Sequence, residues 1–144
     1  MDNPIRIVIA DHHSDYRASV VVALNCEHDL QVVGQAHSAL EALQVTLEQH
    51  PDILLLDHRL PGDSMSIISA LHTFRPNTKI ALLATNFDAE QANSATLAGV
   101  NGCLFKGVGA SQMADSLRII QSTIPDNQIM LFYPEKIETI FTIT

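Results

Sequence analysis

Three apolar runs each end on a side chain with chemistry to offer: Ile7-Val8-Ile9-Ala10 on Asp11, Ile53-Leu54-Leu55-Leu56 on Asp57, and Cys103-Leu104-Phe105 on Lys106. Short uninterrupted apolar runs, separated by stretches at helical spacing, are strands buried on both faces, which implies a parallel sheet covered by helices on each side. In open sheets of this kind the ligand crevice lies beyond the carboxyl ends of the strands. Two carboxylates and an amine are therefore expected to meet in one pocket. Each has a plainer explanation when taken alone, since an Asp after a strand is often a turn former or helix cap and a lone Lys is usually solvated. All three at the same place relative to their strands point to a site.

The periodicity predicts five βα units, with strands near residues 5–10, 30–35, 52–57, 79–84 and 101–105 and helices near 14–25, 38–49, 65–74, 88–98 and 111–122. Ser38-Ala39-Leu40-Glu41 is a capping box opening the second helix, Asp88-Ala89-Glu90-Gln91 starts the fourth in the same way, and Arg75-Pro76-Asn77 stops the third. Leu40, Leu43 and Leu47, and likewise Met113, Leu117 and Ile120, recur at helical spacing and are expected to face the sheet. Right-handed crossovers then give a doubly wound α/β fold with a five-stranded parallel sheet of order 2-1-3-4-5. Residues 1–122 form this domain. Residues 123–144 read as a linker or C-terminal tail, with a turn-rich Thr123 to Gln128 and no helix-turn-helix pattern after it.

With 144 residues the chain is one domain's worth and needs no staples. Cys26 and Cys103 sit in apolar contexts and read as reduced side chains of a cytoplasmic protein, with no secretory signal and no apolar stretch near membrane-span length. The formal charge is −8, and the eight Lys and Arg are scattered singly. That excludes a basic stripe, so this chain is not expected to bind nucleic acid directly.

The stretches IRIVIADHHSDYR (residues 5–17), PDILLLDHRLPG (51–62) and AGVNGCLFK (98–106) resemble the receiver domain of two-component response regulators. The resemblance runs over roughly residues 5 to 122. The phrases Gln31 to Ala36 and Ala98 to Gly102 look most like the NarL/LuxR subfamily of transcriptional regulators. The resemblance implies the flavodoxin-like, CheY-like (βα)5 fold. It also implies that Asp57 is the phosphoacceptor and that Lys106 contacts the phosphoryl group. Asp11, Asp57 and the backbone carbonyl of Arg59 would hold Mg²⁺, with Pro61 and Gly62 as the turn after the acceptor. A sensor histidine kinase is the implied donor, a homodimer the implied assembly through the first or last helices (the outer side of 111–122 above all), and an output domain not present in this chain the implied route to transcription. Tyr133 to Ile137 resembles the start of that subfamily's interdomain linker, which leaves a receiver-only protein and a piece of a longer one both open.

The departures from the family pattern bear on mechanism. The acidic pair is normally two Asp residues, but here it is Asp11-His12, and the replaced carboxylate is the one that touches the metal. An imidazole suits Zn, Cu or Ni better than Mg²⁺, so Mg²⁺ affinity should fall. The hydroxyl residue ending the fourth strand aligns with Ala84, with Thr85 one place later, so phosphate contact falls to Thr85 or to the backbone of Ala84. The aromatic that rotates with that hydroxyl is replaced by Cys103, leaving Ala84 and Cys103 as an altered switch pair. Two readings follow: a receiver phosphorylated weakly on Asp57, or a pseudo-receiver acting through phosphorylation-independent protein contacts.

His12, His13 and His58 add three imidazoles near the two carboxylates, and convergence would let them hold a transition metal. Against this, His13 stands where the subfamily commonly has His with no metal role, and His58 should point away from the acceptor. An enzyme is disfavoured. Aspartate-nucleophile phosphatases carry a second Asp two residues after the first, where this chain has Arg59, and no phosphate-cradling Gly-rich loop is present.

Overall fold

The fold is that of a computed structural model, which describes residues 3–86, 88–122 and 128–141. Five βα units are present: β1 (Ile5–Ala10), α1 (Ser14–Asn25), β2 (Leu30–Ala36), α2 (Ala39–Gln49), β3 (Ile53–Asp57), α3 (Ser64–Phe74), β4 (Lys79–Ala84), α4 (Ala89–Ala98), β5 (Gly102–Phe105) and α5 (Ala110–Ser122). Their strands are parallel in the order β2-β1-β3-β4-β5, as the sequence pattern predicts. The register sets Ala10 beside Leu56, Asp57 beside Leu83 and Ala84 beside Phe105. The carboxyl ends of β1, β3, β4 and β5 therefore lie level along one edge.

Alternate strand residues feed two cores. Val8, Ala10, Leu54, Leu56, Ile80 and Leu82 face one side, while Ile7, Ile9, Ile53, Leu55, Ala81 and Leu83 face the other beneath Val20 and Leu24 of α1 and Met113, Leu117 and Ile120 of α5. Each fully buried Leu or Ile contributes about 1.5–3 kcal/mol over its exposed state, so the sheet fixes the strand ends rigidly. The caps form as expected: Ser38 Oγ accepts the Glu41 N–H at 3.2 Å, and Asp88 and Gln91 exchange bonds of 2.8 and 3.0 Å between each side chain and the other's backbone N–H.

Two expectations about helix faces need correction. Leu40 is 61% exposed and Leu47 38% exposed, while Ala39, Ala42 and Thr46, one position back, face the sheet. The cause is close approach. The Ala39 N–H donates to Pro61 O at 2.8 Å, and a Cβ on Gly62 would stand 2.9 Å from that of Ala39. Gly62 itself has φ +107, a left-handed conformation that favours glycine. Only small residues fit so near the turn, and Leu40 and Leu47 rotate outward while Leu43 stays half-buried against the core. On α5 the apolar residues are turned inward and the outer side carries Ser111, Asp115 and Ser122, so the apolar outer face expected there is absent.

The segment read as a linker or C-terminal tail carries a strand pair. Residues 123–127, most of the expected turn-rich link, lie outside the described residues. After them, β6 (Gln128–Phe132) pairs parallel with β5, and β7 (Ile137–Phe141) returns antiparallel, giving seven strands in the order β2-β1-β3-β4-β5-β6-β7. Ile129 and Leu131 join one core and Phe132 the other. An apolar run of strand length bounded by a proline turn covers the open edge of β5.

Candidate functional site

Each strand end delivers its side chain through a defined local turn. Asp11 follows β1, held by its own N–H on Ala36 O (3.0 Å), and is fully buried. Its Oδ1 accepts the His13 N–H at 2.8 Å, an Asp-led turn that aims the carboxylate back across the sheet end. Asp57 ends β3 and is almost as buried, and its Oδ1 accepts the Arg59 N–H at 3.1 Å. Lys106 leaves β5 with its backbone N–H on Ala84 O at 2.9 Å. Its Nζ lies 2.9 Å from Asp11 Oδ2 and 3.6 Å from Asp57 Oδ2. The three residues read from the sequence thus meet in one pocket.

His12 completes the inner ring. Its Nδ1 is 3.0 Å from Asp57 Oδ2. Which of the two atoms donates in this hydrogen bond is set by the imidazole tautomer. His13 Nδ1 lies 3.4 Å from Asp11 Oδ1, and the two imidazole centroids are 3.8 Å apart. A cavity of about 50 Å³ opens between His12, His13, Asp57, Arg59, Thr85 and Lys106, also bordered by His58, Ala84 and Asn86. Thr85 is exposed at its rim and Ala84 is buried in its wall, so both candidate phosphate contacts border it. Cys103 does not reach this cavity lining. It is sealed in the core beside Leu82, and burial pushes its thiol up to about 12, which keeps it neutral.

Tyr16 is a site residue the motif reading missed. The Lys106 ammonium sits 4.6 Å from its ring centroid, a cation–π contact. Burial, then the charges of Asp11 and Asp57, raise its phenol to about 12. Its place in the first turn of α1, five residues past Asp11, was the available signal. Arg17 is a second: its Nη1 donates to Asp11 O at 2.5 Å.

The family profile for the response regulator receiver domain matches residues 7–118. The chain belongs to the response regulator receiver family. It is 32% identical over 118 residues to the oxygen regulatory protein NreC of Staphylococcus epidermidis, covering 81% of this chain and 54% of NreC. It is also 32% identical over 111 residues to the transcriptional regulatory protein NarL of Mycobacterium tuberculosis, covering 74% of this chain and 51% of that protein. The receiver therefore spans about half the length of the relatives it matches. Among solved structures it superposes on the signal receiver domain of the M. tuberculosis NarL with a TM-score of 0.79 at 27% identity, over 85% of this chain and 100% of that one. It is a receiver of the NarL/NreC type.

Receivers bind Mg²⁺ in an acidic pocket, whereas this pocket is a mixed Asp and His cluster. Mg²⁺ demands a near-octahedral shell of hard oxygens at 2.0–2.1 Å. Here the clustered donors are two carboxylates and two imidazoles, and the imidazole bonded to Asp57 stands where a further carboxylate would be. The residues fit Mg²⁺ poorly. What the arrangement offers instead is a buried pair of carboxylates beside one ammonium and two imidazoles.

Proposed function

We propose that this chain is the receiver module of a cytoplasmic two-component response regulator of transcription, taking a phosphoryl group from a sensor histidine kinase onto Asp57. One observation carries the reading: Lys106 Nζ spans Asp11 and Asp57 at 2.9 and 3.6 Å from a separate strand. In the transfer an Asp57 carboxylate oxygen forms a bond to phosphorus as the donor's P–N bond breaks, and the released imidazole takes up a proton. Lys106 offsets charge growing on the equatorial oxygens, and Thr85 at the rim offers a hydroxyl to one of them. The names of the relatives NreC and NarL, both regulators, support an output in transcription through a domain beyond this chain. The module does no chemistry of its own beyond accepting and losing the phosphoryl group. Two copies associate as a homodimer.

A second reading has its own observation. His12 holds the acceptor oxygen Asp57 Oδ2 at 3.0 Å, and Ala84 leaves the switch strand without a hydroxyl at its end. Both favour a pseudo-receiver that works through protein contacts alone. Mass spectrometry after incubation with Mg²⁺ and a small acyl phosphate separates the two. Slow gain of one phosphoryl group is expected, faster in His12→Asp and absent from the double variant His12→Asp/Asp57→Asn. No gain in either the unaltered chain or His12→Asp would establish the pseudo-receiver instead.

A further inference from the structure

We propose that the strand-end pocket binds one divalent ion of the zinc class, held by Asp11, Asp57, His12 and His13. One donor atom from each of these residues lies within 4.8 Å of all the others. A tetrahedral shell with bonds of 2.0–2.2 Å sets its donors about 3.3 Å apart. Two pairs are already there: His12 Nδ1 to Asp57 Oδ2 at 3.0 Å and His13 Nδ1 to Asp11 Oδ1 at 3.4 Å. The remaining contraction falls to the imidazoles, whose side chains are 34% and 59% exposed against 3% and 0% for the carboxylates they pair with.

The chemistry of the donors selects the metal. Two imidazoles with two carboxylates are a borderline set, which favours Zn²⁺, Co²⁺ or Ni²⁺ over Mg²⁺. The carboxylates are pre-oriented, since the His13 N–H fixes Asp11 Oδ1 and the Arg59 N–H fixes Asp57 Oδ1. Such outer bonds stiffen a ligand set before the ion arrives. The electrostatics agree: two buried carboxylates share a single ammonium, so an incoming cation finds an unbalanced negative charge. His58 borders the cavity but is not among the four donors. All four donors are present in the unphosphorylated chain, so binding needs no phosphodonor.

The test uses the full chain in a Cys26→Ser background, which removes the exposed thiol as a competing ligand. Co²⁺ is titrated by visible absorption and Zn²⁺ by calorimetry, without any phosphodonor, so failure of the phosphotransfer reading leaves the result untouched. One ion per chain is expected, undisturbed by a hundredfold excess of Mg²⁺. Affinity should fall at least tenfold in His12→Ala and in His13→Ala, and stay unchanged in His37→Ala, a surface imidazole paired with Glu41. His12→Gln and His13→Gln, checked by circular dichroism, serve if an alanine variant unfolds. Absence of binding, unchanged affinity when both imidazoles are removed, or displacement by equimolar Mg²⁺ would overturn the assignment.

Discussion

Arg118 of α5 donates to Asp29 at 2.8 Å from both Nε and Nη2, to Glu27 at 2.8 Å and to Asp115 at 2.8 Å, tying α5 to the loop before β2. The guanidinium bonds pull Asp29 from its ordinary 3.8 to about 2. A carboxyl depressed on folding stabilises the native state above its unfolded pKa and loses that contribution as pH falls through the folded one. Arg118→Ala should therefore lower the melting temperature by a constant amount from pH 7 to 5, with the gap closing between about pH 4 and pH 2. A gap independent of pH would mean that Arg118 acts through packing alone. The same scale shows what the sequence could and could not tell of the site. Asp11, Asp57 and Lys106 were legible because each directly follows a buried strand, and strand register aligns such positions. The convergence of His13 was not, because its direction depends on a turn made by the Asp11 side chain on the His13 N–H. Nor could residue type alone reveal that His12 would hydrogen-bond the acceptor itself.

Among the twelve elements of the described residues, ten follow from apolar period and caps, and the two that do not are β6 and β7. Their run is too short to distinguish from a tail until the free edge of β5 is considered as its partner. The hairpin is built into the fold: Phe132 is fully buried in the core under α5, and Tyr133 stacks on Phe105 at 4.3 Å, next to Lys106. Helix α2 failed in a different way. Period gave its existence and ends, but the face turned to the sheet was set by the Pro61-Gly62 turn, a contact between distant residues. If the hairpin is integral, Phe132→Ala should cost about 3–5 kcal/mol in urea unfolding, the range for emptying a buried aromatic site. A loss below about 1 kcal/mol would show that the strands dock without contributing to the core.

Over the whole molecule, charge governs association. The chain carries −8, and much of its positive charge is spent internally: Arg6 on the carbonyls of Gln49 and His50, Lys106 in the pocket, Arg118 in its clamp and Lys136 on Glu138. The surface field is therefore acidic, which disfavours nucleic acid and sets two copies of the chain against each other at low ionic strength. Exposed large apolar side chains are dispersed over several elements, with Val22 on α1, Leu40 and Leu47 on α2, Met65 and Phe74 on α3 and Ile137 on β7. The outer side of α5 is polar, so a homodimer formed there lacks an apolar anchor and its repulsion weighs more heavily. Salt shortens the reach of that repulsion from about 30 Å at 0.01 M to about 8 Å at physiological strength. Sedimentation at high micromolar concentration should accordingly show a monomer–dimer equilibrium whose dimer fraction rises with added salt. A chain that stays monomeric at every ionic strength would remove the homodimer, and a dimer fraction that falls with salt would mean that opposite charges across the interface, not shielding of like ones, hold the two copies together.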